Sequence, residues 1–360
     1  MSWPAALLTR RRRVMALFVA AELTLAMAIP FLAIAGYHTL LDSRAGRFVE
    51  EPTENEPGWR ALVDPTPVTA VVEQEAGITT GIVVLAGHLD DPPGGTVVVV
   101  PGTLQIDGVP LAAFAPDDAV AELSRVLRLR IGPVEVVDED RWPDVLGDTR
   151  YLLANPDPVV DDRGRPLLRV GEIEVGAGDA AAFLGRPAPD SDPITLLFRR
   201  QLFWSAVVAD PPAGRDPLAR AIGEISGPSS QVVILPLVDV VPDPELDPVA
   251  AEALIREVVP IPSGANPGDR LQVRVIDRTG TIDLEAVAAA VASTGSEVVE
   301  IGNAVEFDGG PTHLVVPVGL DDPGISELAM LTGATTVLDN DVDADAVVTL
   351  LVGSDYAFGR

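Results

Sequence analysis

The chain has 360 residues, no cysteine, and 25 basic residues, all arginine, against 54 acidic ones, for a formal net charge of −29. The missing cysteine excludes disulfides, thiolate metal centres and cysteine nucleophiles. The acidic excess repels nucleic acid and anionic headgroups, so no nucleic-acid partner is expected; beyond residue 40 it deepens to 53 acids against 21 arginines, a net of −32. His38, His88 and His313 are scattered, which argues against a histidine-rich metal site. Neither a metal nor a cofactor is expected.

The first element is Arg10-Arg11-Arg12-Arg13 followed by an apolar run from Val14 to Ala35, 22 residues broken only by Glu22 and Thr24 as strongly polar members. As a helix it would reach ~33 Å, enough for a ~30 Å hydrocarbon core. The four arginines on one flank orient it with residues 1–13 in the cytoplasm and the bulk of the chain outside a cell membrane. A cleaved signal peptide is the competing reading, with Ala33-Ile34-Ala35 as a small-residue cleavage site, but the run exceeds the usual 7–15 apolar residues of such a segment. The expectation is a single-pass anchor over 14–40. Residues 41–67, with Glu50-Glu51-Pro52 and Glu54-Asn55-Glu56-Pro57, read as an extended linker.

From residue 68 the pattern is α/β. Gly81 to Ala86 and Thr96 to Val100 are short β-branched runs of the kind buried on both faces of a sheet. Asp117-Asp118 is expected to cap a helix carrying Ala119, Val120, Leu123, Val126 and Leu127. Pro133 to Val137 reads as a strand, Trp142 to Leu146 as a short helix, and Tyr151-Leu152-Leu153 and Val159 to Val170 as short strands and turns. Asp179 is expected to cap Ala180 to Leu184. Pro193 opens a longer helix, Asp216 to Ile225 is helical, Gln231 to Val241 is a strand, and Pro248 to Val258 is helical. These make a first domain over 68–259. A Pro/Gly-rich break over 260–268 follows. The remainder, 269–358, has the order β-α-β-β-α-β, a small α/β sandwich. The predicted fold class is therefore α/β: an N-terminal transmembrane helix and two external α/β domains.

Isolated motifs carry little. Asp339 to Asp345 has alternating acids but lacks the Gly and Glu of a calcium loop, and a solvated acidic turn is the simpler reading. His88-Leu89-Asp90-Asp91 follows a strand, but one histidine beside two acids is an ordinary surface loop more often than a site. No serine lies in Gly-x-Ser-x-Gly. Arg125, Arg128 and Arg130 read as partners for local acids rather than an anion site.

Three segments of the last domain carry a resemblance. They are Val273-Arg274-Val275-Ile276-Asp277-Arg278-Thr279-Gly280, then Glu300-Ile301-Gly302-Asn303-Ala304 with Phe307-Asp308, and finally Leu351-Val352-Gly353-Ser354-Asp355-Tyr356. Together they resemble the C-terminal domain found on LytR-CpsA-Psr (LCP) proteins of the Gram-positive cell envelope. The preceding region resembles a decayed form of that family's catalytic domain: Arg186 follows Ala182-Phe183-Leu184, and Arg199-Arg200-Gln201 is similar to the family's Arg-Gln on the next helix.

The resemblance implies chemistry on a polyprenyl pyrophosphate, which needs an arginine clamp and acids for a divalent metal. This chain departs from the pattern there. After the central strand it reads Val100-Pro101-Gly102-Thr103-Leu104 where the family has Ser-x-Pro-Arg-Asp. Leu197 and Ile194 stand where the later helix normally carries an arginine and an aspartate. Arg186, Arg200 and Gln201 are left as candidate ligand-binding residues, with no catalytic residue assigned. The expectation is a membrane-anchored, non-catalytic envelope protein that binds a cell-wall glycopolymer, a polyprenyl-phosphate lipid or an envelope protein. The alternative is a divergent glycopolymer phosphotransferase whose clamp is rebuilt around those arginines.

Overall fold

The computed structural model describes residues 52–87, 94–188, 193–238, 243–339 and 347–357. The tail over 1–13, the anchor over 14–40, the first part of the 41–67 linker, the His88 loop and Asp341 to Asp345 lie outside the described residues. Among the described residues no helix is long and apolar enough to cross a membrane. The described residues from Thr53 onward make one compact unit, of mixed α/β fold.

The labelled strands are β1 (Arg60–Leu62), β2 (Val68–Glu75), β3 (Ile78–Gly87), β4 (Gly95–Pro101), β5 (Val134–Val137), β6 (Tyr151–Asn155), β7 (Gly171–Val175), β8 (Gln231–Ile234), β9 (Gln272–Asp277), β10 (Glu297–Asn303), β11 (His313–Pro317), β12 (Thr335–Asp339) and β13 (Val348–Val352). The helices are α1 (Pro116–Leu127), α2 (Trp142–Leu146), α3 (Ala177–Gly185), α4 (Pro193–Ala209), α5 (Pro217–Ile225), α6 (Pro248–Val258), α7 (Leu284–Ala292) and α8 (Pro323–Thr332).

The first sheet has the order β8-β4-β3-β2-β5. Its centre is antiparallel, with Val71 opposite Val83 and Val83 opposite Val99, and parallel strands close it at both ends. β4 is buried along its whole length, as its unbroken valines require. The period-2 alternation of strands sorts side chains to two faces. Val71, Val83, Leu85 and Val97 point into a core with α2 to α5 and the β6-β7 hairpin. Ala70, Val72, Val84 and Val98 point into a second core with α1 and α6.

The second sheet has the order β1-β10-β9-β13-β11-β12. β9 runs parallel to β10 and β13, with β11 antiparallel to β13. Its core gathers Val273, Val275, Val287, Val291, Leu314 and Leu350.

Several local expectations are corrected. Arg60–Leu62 is no stalk segment: it pairs antiparallel with β10 at the sheet edge, because Trp59 and Val63 beside it are apolar and pack on the second sheet's core. Asp117 and Asp118 lie inside the first turn of α1 rather than capping it. Pro116, whose missing N–H suits the first helical position, starts the helix earlier, with Ala115 at the cap. Asp179 likewise sits within α3, which begins at Ala177 behind Gly176. α7, by contrast, is capped by an acid: the Asp283 carboxylate accepts from the Ala286 N–H at 3.0 Å. The sheet also contains β12, a strand the β-α-β-β-α-β reading omitted; all five of its residues are exposed, so it carries no burial pattern.

The Pro/Gly-rich break is tied down on both sides. The Thr66 N–H donates to the Ile261 carbonyl at 2.9 Å and the Ile261 N–H to Thr66 Oγ1 at 3.0 Å. Ser263 Oγ donates to Glu297 at 2.7 Å. The buried Arg270 donates to the carbonyls of Arg128 and Gly295, both at 2.9 Å.

Candidate functional site

The arginines that the sequence singles out lie where α3, packed on β2 and β3, meets α4, packed on β4 and β8 of the same sheet. Glu73 of β2 is two residues beyond Val71 and so shares its face; that face looks at α4. Arg200 of α4 meets it there, Nε to Oε2 at 3.0 Å, with the side chains 1% and 2% exposed. The two atoms touch off the line of a hydrogen bond. Arg200 also donates from Nη2 to the Thr80 carbonyl, and Trp204, one turn on, donates from Nε1 to Glu73 Oε1 at 2.7 Å.

The space for the guanidinium comes from Gly81, which stands opposite Glu73 in the ladder. A Cβ there would lie 2.5 Å from Arg200 Nη1, so a side chain at 81 would push the Arg200 guanidinium out of its place.

Arg199 is also buried. Its Nε lies 3.5 Å from Asp157 Oδ1, its guanidinium carbon sits 5.5 Å from the centre of the Phe183 ring, and Nη2 donates to the Arg186 carbonyl. Arg186 follows α3 and pairs through Nε with Glu75, its side chain keeping 28% exposure. Gly185 lets that pair close, since a Cβ there would come within 2.9 Å of the Glu75 side chain. Gln201 donates from Nε2 to the Val232 carbonyl at 3.0 Å, which ties α4 to β8.

Burial sets the electrostatics. Glu73 is pushed above the usual carboxylate range by desolvation, with Arg200 and then the Trp204 hydrogen bond pulling it back. Desolvation pulls Arg199 and Arg200 below the ordinary guanidinium value, opposed by Asp157 and Glu73 respectively. Arg186 moves the other way, raised first by its hydrogen bond to Glu75.

The structure therefore brings Arg186, Arg199 and Arg200 to one place but gives each a carboxylate of the chain itself. Gln201 lies beside them and is spent on a backbone carbonyl. The wall behind them is aromatic: Phe203 packs edge-on to Trp142 at 5.5 Å, to Tyr151 at 5.8 Å and to Trp204 at 6.0 Å. All four rings are buried.

Sequence reading missed the acids Glu73, Glu75 and Asp157. A usable signal was present: two adjacent arginines in an otherwise apolar helix need buried partners. At the other departure from the family pattern, a Cβ on Gly102 would lie 2.8 Å from both the Thr79 and Thr80 carbonyl oxygens, so the backbone there leaves no room for a side chain. Arg125 is paired as expected, with Glu122 at 2.8 Å and Asp107 at 2.6 Å.

No family model matches the chain, and no curated protein matches it. Solved structures do. The chain is similar to a LytR-Csp2A-Psr enzyme from Actinomyces oris, with 14% identity over 58% of this chain and 96% of that one, at a TM-score of 0.41. It is similar to B. subtilis TagV, with 12% identity over 54% and 97% of the two chains and a TM-score of 0.39. A third is the LytR-CPS2A-psr family protein YwtF (TagT) with bound octaprenyl pyrophosphate lipid, with 13% identity over 58% and 93% and a TM-score of 0.40. The first and third of these carry the LytR-CpsA-Psr (LCP) name.

Proposed function

We propose that the chain is a membrane-anchored protein of the cell envelope, held by residues 14–40 with its bulk outside. In this reading an LCP-like domain over 68–259 and a LytR-type domain over 269–358 bind wall polymer, a polyprenyl-phosphate lipid or an envelope enzyme without catalysing transfer. The motif resemblance of the last domain supports the envelope setting. The observation that carries the non-catalytic part is the burial of Arg200 on Glu73. A pyrophosphate clamp needs guanidinium groups free to meet phosphate oxygens, and each such contact is worth ~2.7–4 kcal/mol in the transition state. Arg200, 1% exposed, cannot reach a ligand without abandoning a buried carboxylate. Arg186 and Gln201 are half-buried, and each already has a partner within the chain, Glu75 for Arg186 and the Val232 carbonyl for Gln201.

The test is phosphate release from a labelled polyprenyl pyrophosphate by the full chain with Mg²⁺ or Mn²⁺. No turnover above the protein-free rate is expected. Turnover that disappears in Arg186→Ala would instead establish the phosphotransferase.

A further inference from the structure

A groove of about 700 Å³ runs along the second sheet between β1 and α7. It arises from a mismatch in coverage. α7 packs over β9 and β10, but β1 extends the sheet one strand further, and among the described residues no helix covers its face beyond α7. Ala61 pairs with Ile301 across the β1-β10 ladder, and strand alternation puts Trp59 and Val63 on the same face as Ala61. These four make an apolar floor. The facing wall is the exposed flank of α7, where Ala286 and Ala289 stand three residues apart. Small side chains at that spacing let a second helix approach closely.

The rim is of one sign. Glu54, Asp64, Asp283 and Glu285 line it and are exposed, and among the described residues no arginine does. The nearest arginine on β1, Arg60, is drawn to the opposite face, where it pairs with Glu300 at 2.7 Å. An apolar trough walled by alanines and flanked by carboxylates is complementary to an apolar stripe bordered by cations. We propose that this groove docks an amphipathic helix of a partner protein, with its apolar stripe on Trp59, Val63 and Ile301 and basic residues along both flanks. The inference does not depend on the arginine cluster or on the absence of catalysis.

The test uses the full chain in nanodiscs of zwitterionic lipid, read by hydrogen exchange so that only events on the protein count. The probe is a synthetic helix of about 18 residues with leucine on one face and lysine elsewhere; a control peptide carries glutamate in place of lysine. The lysine peptide is expected to protect residues 59–64 and 284–290 at concentrations where the glutamate peptide does not. Ala289→Glu separates docking from general attraction to an acidic protein. An added carboxylate leaves general attraction unchanged or stronger, whereas a longer side chain in the groove should move the protection midpoint at least about tenfold higher. If Ala289→Glu alters exchange elsewhere in the chain, Ala286→Glu replaces it; the wild-type protection map stands without either. Absence of protection in these two segments, equal protection by the glutamate peptide, or an unmoved midpoint in the variants would overturn the proposal.

Discussion

Replacing Arg200 by alanine should be among the most damaging single changes available to this protein. Arg200 and Glu73 are 1% and 2% exposed with 3.0 Å between them, so the variant leaves a carboxylate in the core with only the Trp204 N–H, at 2.7 Å, as partner. Breaking a buried pair from one side costs ~3–5 kcal/mol, against at most ~1 kcal/mol for an exposed pair such as Arg125 with Asp107, whose side chains are 47% and 81% exposed. The loss should depend on pH, with a definite sign. Glu73 already sits above the usual carboxylate range because burial outweighs the pull of Arg200, and removing Arg200 raises it further. A carboxyl whose folded value lies above its unfolded one favours the folded state at low pH and loses that advantage as pH rises through the folded value. Arg200→Ala should therefore be least destabilised near pH ~5 and most near pH ~8. Urea unfolding followed by tryptophan fluorescence reads this directly, since Trp142 and Trp204 are both buried. The double change Glu73→Leu with Arg200→Met should recover much of the loss, less the ~1–3 kcal/mol of an orphaned Trp204 N–H. A single variant within ~1 kcal/mol of the parent, or a loss equal at both pH values, would refute this account of the pair.

Gly81→Ala should cost ~1–3 kcal/mol by forcing the Arg200 guanidinium aside, read as a lower urea midpoint; an unchanged midpoint would mean the guanidinium has room to move. A fragment over 269–358 should unfold cooperatively but at a lower temperature than one that also carries 53–64, because Trp59 and Val63 pack on that sheet's core; equal melting temperatures would show that β1 adds nothing. An alkaline phosphatase reporter fused after Arg360 should be active, and a signal only from a cytoplasmic reporter at that end would reverse the assigned topology.

What the sequence made legible were the features dominated by one local rule. The valines of β4 could only be a buried strand, and Asp283 stood one residue ahead of an apolar helical run and caps it. The site was half legible. Arg186 and Arg200 could be picked out on their helices, but Glu73 and Glu75 sit in a Glu-Gln-Glu stretch that reads as the wet end of a strand. Nothing local reveals that a carboxylate on β2 will meet an arginine 127 positions later. That pairing is set by which face of β2 turns toward α4, and so is the requirement for glycine at 81. β1 was missed for a related reason: three residues are too few to show a period, and the surrounding prolines and glutamates dominate the composition.

The placement of β1 bears on how the molecule is made. Its partner residues in β10 lie about 240 positions downstream, Arg60 reaching Glu300. During synthesis at ~5–20 residues per second the strand waits on the order of 12–50 s before the residues it pairs with exist. All the residues of the first sheet, from Val68 to Ile234, are made within that interval. The second sheet thus has its first strand made before the first sheet and its other strands made after it. A strand of only three residues, with the charged Arg60 in it, offers a small sticky edge during that wait. Its brevity, which hid it from pattern reading, limits the time-dependent risk of joining a wrong partner.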